Sequence, residues 1–174
     1  MGFLAPSGDY AALMEFCGIK APTEALMSAV DAAEAEMVAQ CGPILSATVT
    51  DILTMDAATQ VLSARVASLT SVTSEEGTVY TKTDFRTRGQ LLSRKDGGTI
   101  PAWATVVYTS GWAQSSIPAS VILAGRMLAR HLWRTTLGNQ RVNESELVPG
   151  SAWLWPRQAR DLVADYELAP LGFA

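Results

Sequence analysis

The sequence predicts an α+β fold. Two N-terminal helices and one long late helix form a bundle, an antiparallel β-sheet or small sandwich is inserted between them, and a C-terminal tail extends beyond. Three observations predict it. Leu26, Val30, Ala33, Met37 and Cys41 step by four, three, four and four, which is one helical stripe. From Ile44 the chain becomes rich in Thr, Val, Ser and Tyr, in short stretches separated by polar turns. From Pro118 a helical stripe returns, built from Val121, Ala124, Leu128 and Leu132.

The elements follow in order. Asp9 is placed to cap a short helix, YAALMEFCG, which Gly18 ends. The second helix follows KAPTE; Pro22 suits a first helical position and Thr23 supplies a cap. Gly42-Pro43 stops it, and Cys41, on the apolar stripe, reads as core filler. Residues 1–43 are thus helical and residues 44–110 β-rich. ILSATVTDIL, TQVLSARVASLTSV, GTVYTKTDF, GQLLS and WATVVYT are the strand candidates, with turns at Glu76-Gly77 and Gly97-Gly98. Partial alternation gives each strand one wet face. Lys82, Arg86, Arg88, Arg94 and Lys95 stand against Asp84 as the one basic cluster, read as a solvated hairpin rim or as contact with an acidic surface or DNA.

YTSGW then makes a corner. Gly111 lets the chain turn without a Cβ clash. Trp112 is expected to plug the junction of sheet and helices, a burial worth on the order of 3 kcal/mol. The long helix, residues 117–138, has Pro118 in its first turn and Gly138-Asn139 as its stop. Arg126, Arg130 and Arg134 recur every four residues, so a positive ridge is expected on its far side. His131, the only histidine, reads as a packed or capping residue. A Trp-Leu-Trp-Pro entry leads to a short helix at 156–166 and a tail whose apolar residues need somewhere to dock.

Composition bounds the chemistry. The 174 residues suit one domain, and a chain of this length buries roughly 70% of the surface its unfolded form exposes. Two cysteines and one histidine do not make a structural zinc site, which takes about four ligands. No signal-peptide pattern opens the sequence, and no apolar run of about 20 residues spans a membrane, so no membrane partner is expected. Residues 1–60 hold eight acids and one base, whereas the later parts carry all of the arginines. That asymmetry suits head-to-tail association of copies and argues against a protein that grips DNA. SGW lacks the first glycine of a nucleophile elbow, Gly97-Gly98 is not followed by GKS or GKT, and Asp51/Asp56 and Glu144/Glu146 are generic carboxylate pairs. The expectation is a protein that is not an enzyme and needs no cofactor or metal.

The order of pieces carries a resemblance. A short helix precedes TEALMSAVDAAEAEMVAQCG; a β-rich middle ends in VVYTSGW; then come IPASVILAGRMLARHLWRTTLG and WLWPRQARDLVADYELAPLGFA. Over nearly the whole chain this resembles the head–tail connector (adaptor) proteins of tailed bacteriophages, found also in prophages and gene-transfer agents. The β-rich stretch departs from the shortest members, which are nearly all helical. The resemblance implies a virion protein in a ring of about twelve identical subunits under the portal protein. The ring extends the DNA channel without sequence-specific binding and offers a platform to the next neck or tail protein. It implies a single adaptor domain over residues 1–150 and a portal-docking segment over 151–174, with Trp153, Trp155, Leu168, Leu171 and Phe173 as portal-facing anchors. In such a ring the Arg126, Arg130 and Arg134 ridge would face Glu24, Asp31, Glu34 and Glu36 of a neighbour. Two alternatives stand beside it: another neck component (stopper or tail terminator), and a small-molecule-binding or enzymatic α+β domain.

Overall fold

The computed structural model describes residues 2–137 and 155–168. The readings of Gly138-Asn139, Glu144/Glu146, Trp153, Leu171 and Phe173 lie outside the described residues. The chain divides into two compact units: a helical one, Met1–Gln40 with Ile117–Tyr166, and a β one, Cys41–Ser116 with Glu167–Ala174. The β-rich stretch is thus inserted between two helices that belong together.

In the helical unit, α1 spans Ala11–Cys17. Asp9 Oδ1 accepts the Ala11 N–H at 2.9 Å, and Gly18, at φ +73°, turns the chain out. Helix α2 spans Glu24–Cys41, and Thr23 Oγ1 accepts the Leu26 N–H at 3.2 Å. Pro22 therefore precedes the cap instead of opening the helix. The predicted stripe of Leu26, Val30, Ala33, Met37 and Cys41 is buried throughout. Helix α3 is shorter than the sequence predicts, Ala119–Leu132, and continues as a π-helical turn over Trp133–Leu137. Pro118 stands outside it in an extended conformation (φ −56°, ψ 136°), where its ring presets the chain's entry. Val121, Ala124, Leu128 and Leu132 are buried as expected. Gly125 lies among them because a Cβ there would sit 2.8 Å from Leu4 Cδ2. Helix α4, Arg157–Val163, packs on α3 through Ala159 and Val163 and runs on into a 3-10 turn, Ala164–Tyr166.

The β unit is a small two-sheet sandwich. Strands β1 (Ala47–Ile52), β3 (Ser68–Thr73), β4 (Val79–Tyr80) and β7 (Thr105–Ser110) form one antiparallel sheet in the order β1-β7-β3-β4. Strands β2 (Thr59–Val61), β5 (Phe85–Arg88) and β6 (Leu91–Arg94) form the other, in the order β2-β6-β5. The stretch TQVLSARVASLTSV reads as one strand but supplies two, one to each sheet, with the crossing at residues 62–67. Leu62 and Ala64 in that crossing are buried, so alternation persists where sheet pairing does not. The core between the sheets gathers Leu53, Leu62, Val72, Phe85, Leu92, Ile100, Val106 and Tyr108. The predicted turn glycines Gly77 and Gly97 adopt φ +84° and +76°.

Candidate assembly surfaces

The corner at Gly111 is built from backbone. Gly111 holds φ +82°, and a Cβ on it would lie 2.5 Å from the Leu45 carbonyl oxygen and 2.8 Å from that of Pro43. Both the dihedral and the space exclude a side chain. The close approach lets Trp112 pair in parallel with Leu45. Trp112 N–H donates to the Ile44 carbonyl at 2.9 Å, and its own carbonyl accepts from Ser46 N–H at 2.8 Å. Trp112 is half-buried, and it lines a cleft of about 280 Å³ with Arg65 and Ser110.

Asp51 has a structural role that its generic sequence setting did not reveal. Its carboxylate accepts from Ser63 Oγ (2.6 Å), Ser63 N–H (2.8 Å) and the Tyr108 hydroxyl (2.8 Å), while that hydroxyl accepts the Ala64 N–H at 3.0 Å. Burial is the main cause pushing the Tyr108 phenol up to about 12. The network ties β1 to β7 and to the crossing segment. Asp56 acts likewise, accepting the Ala102 N–H at 2.6 Å.

The arginine ridge is not the free surface the periodicity predicts. Arg126 and Arg130 are half-buried, and their Nε atoms, buried, have no hydrogen-bond partner among the described residues. The Arg130 guanidinium lies 5.6 Å from the Phe16 ring centre. Only Arg134 is exposed. Arg130, Arg134, His131, Phe16, Leu123 and Met127 line a groove of about 480 Å³. It falls in the size range of ligand sites. Its lining also holds Thr135, whose hydroxyl donates to the His131 carbonyl at 2.8 Å. Burial pulls the His131 imidazole below its ordinary value and pushes the Cys17 thiol up. Cys41 is likewise pushed up, to about 11, mainly by burial.

The acidic side of α2 divides in two. Glu34 is half-buried and accepts the Leu4 N–H at 2.6 Å; burial raises its carboxyl above the usual range, and that hydrogen bond only partly offsets the rise. Glu36 accepts Trp155 Nε1–H at 3.1 Å, which ties α2 to the segment entering α4. These two acids are occupied within their own unit. Glu24 and Asp31 stay exposed. Trp155, expected as a portal anchor, is half-buried at this contact. Leu168 packs toward Gly42 within the β unit, its Cδ2 3.4 Å from where a Cβ would stand.

Sequence reasoning missed Trp103. It is 57% exposed and holds φ +60°, rare for a bulky side chain. Its N–H donates to the Leu53 carbonyl at 2.7 Å, beside exposed Ile52 and Met55. No periodicity marks such a residue, because its exposure comes from a loop conformation.

No protein-family model matches the chain, and no curated protein matches it. Solved structures do. A chain from the neck of a native GTA particle, computed with C12 symmetry, matches with a TM-score of 0.60 at 17% identity, covering 95% of this chain and 91% of that one. One from the neck of an empty GTA particle, computed with C6 symmetry, matches with a TM-score of 0.59 at 15% identity, over 94% and 91%. A third, from the virion of a native gene transfer agent (GTA) particle, gives 0.57 at 16% identity, over 93% and 91%. Coverage this complete on both sides means the β-rich stretch is matched in those chains, not added to them. Over nearly its whole length, this chain has the α+β fold of chains found in the neck of a gene transfer agent, a phage-like particle.

Proposed function

We propose that this chain is a structural neck component of a phage-like particle, and specifically its head-to-tail adaptor. Copies form a ring of about twelve beneath the portal, continue the DNA channel and present a platform to the next neck or tail protein. The observation that carries this reading is the fold match over 93–95% of the chain to particle chains, two of them from necks computed with C6 or C12 symmetry. The weak net charge of −4 suits a conduit through which DNA slides. The exposed Ile52, Met55 and Trp103 fit a surface that a neighbouring neck protein covers.

Portal docking belongs, on this reading, to the last residues of the chain, Leu171 and Phe173 among them, together with Trp153. Trp155 contributes indirectly, by fixing the entry to α4. The test is co-purification with the portal of a chain ending at Leu168. Loss of portal binding with an unchanged melting curve is the expected result; undiminished binding removes the docking assignment. Cryo-electron microscopy of the particle separates adaptor from stopper or terminator, since density directly under the portal is expected and density at the tail side overturns the adaptor role.

A further inference from the structure

The two units carry faces that are opposite in charge and alike in apolar content. On α2, Glu24, Met27, Asp31, Ala35 and Val38 step by three, four, four and three, a single stripe opposite the buried one. Each is exposed, and the helix has no lysine or arginine. On the three-stranded sheet, register places Val61, Leu91 and Arg88 in one cross-strand row and Thr59, Ser93 and Arg86 in the next. Residues directly opposite across antiparallel strands share a face, so both exposed arginines flank two exposed aliphatic side chains. Met27, Val38, Val61 and Leu91 are 37% to 45% exposed. The other bases of the cluster are set apart: Arg94 is engaged with Asp96 (2.5 Å) and lies 5.7 Å from the Tyr80 ring centre.

A solvated edge accounts for arginines on β5, since charge on an edge strand blocks unwanted strand pairing. It does not account for two aliphatic residues held between them and the next strand, nor for their counterparts between the acids of α2. We infer that these faces are the two halves of one copy-to-copy contact. The β2-β6-β5 face of one subunit lies on the outer stripe of α2 in the next, with Arg86 and Arg88 toward Glu24 and Asp31. Two different patches on one chain make a heterologous interface, the kind that generates rings when the rotation closes. The charges set register, and the aliphatic residues exclude water from the centre. This rests on the ring reading above, but it moves the basic half of the contact from α3 to the β unit.

Cross-linking tests it. Full-length chains carrying Asp31→Cys and Arg88→Cys are mixed and mildly oxidised; the native Cys17 and Cys41 are buried. The expected heterodimer yield is at least about tenfold above that of Asp31→Cys mixed with Thr50→Cys. Charge reversal is the second arm. Arg86→Glu with Arg88→Glu, or Glu24→Arg with Asp31→Arg, is expected to lower ring yield about tenfold or more, because like charges then face each other. A chain carrying all four changes is expected to regain rings, which a folding defect would not allow. Wild-type ring yield from both reversed chains, with cross-linking no better than the control, overturns this contact and leaves the ring reading standing. A wild-type chain that forms no ring, alone or with the portal, overturns the ring reading and this contact together.

Discussion

Gly111 shows how one residue fixes a local path. Its Cβ-free left-handed backbone is pressed between two carbonyls, and the parallel pairing of Leu45 with Trp112 depends on that approach. Gly111→Ala is expected to destabilise the protein by about 3 kcal/mol or more, combining left-handed strain with a backbone clash. Urea unfolding measures it. Tyr108 carries a pH dependence whose sign follows from its shift. The folded-state phenol titrates near 12, above the ordinary value of 10. Its contribution to stability is therefore complete below pH 10 and is lost as pH rises from 10 toward 12. Tyr108→Phe leaves the buried Ala64 N–H without its acceptor and is expected to cost about 1–3 kcal/mol at neutral pH. The same variant should lose less of its remaining stability than wild type between pH 10 and 12, as followed by denaturant titration at each pH.

At the scale of the element, α3 is where periodicity and burial part company. The apolar stripe is where the sequence puts it, but the arginines are not a uniform wet ridge. Neighbouring elements bury the inner part of that face, with Phe16 under Arg130. Long side chains then lie along apolar surface through their methylenes, which periodicity alone does not distinguish from full exposure. The expected consequence is a split between positions. Arg126→Glu places a carboxylate where a buried Nε already lacks a partner, and should destabilise by about 2 kcal/mol or more. Arg134→Glu, on an exposed residue, should change stability by no more than about 0.5 kcal/mol. Thermal melts of the two variants check this. Reversing all three arginines together would mix a folding effect into any assembly assay.

At the scale of the whole molecule, the terminal segment is partly core. Ala159 and Val163 are fully buried in the helical unit, and Trp155 holds Glu36. A chain ending at Gly150 is expected to lose about 3 kcal/mol or more of stability, since it strips α4 from α3 and opens their shared core. Chemical denaturation of the helical unit reads it directly. A portal-binding assay must therefore cut after Leu168, where the described core ends. The charge asymmetry between the first third and the rest is only partly available at the surface: Glu24 and Asp31 stay exposed, whereas Glu34 and Glu36 hold partners.

The sequence by itself determined the α+β class, the helical stripes of α2 and α3, the caps at Asp9 and Thr23, and the need for glycine at the YTSGW corner. Each of these follows from period or backbone sterics, which act over a few residues. Tertiary structure alone decided the rest. It split one apparent strand between two sheets, engaged Glu34 and Glu36 internally while leaving Glu24 and Asp31 outside, and half-buried two of three equivalent-looking arginines. It also turned Trp103 outward. Those outcomes depend on which elements meet across long stretches of chain, and no local spacing encodes that.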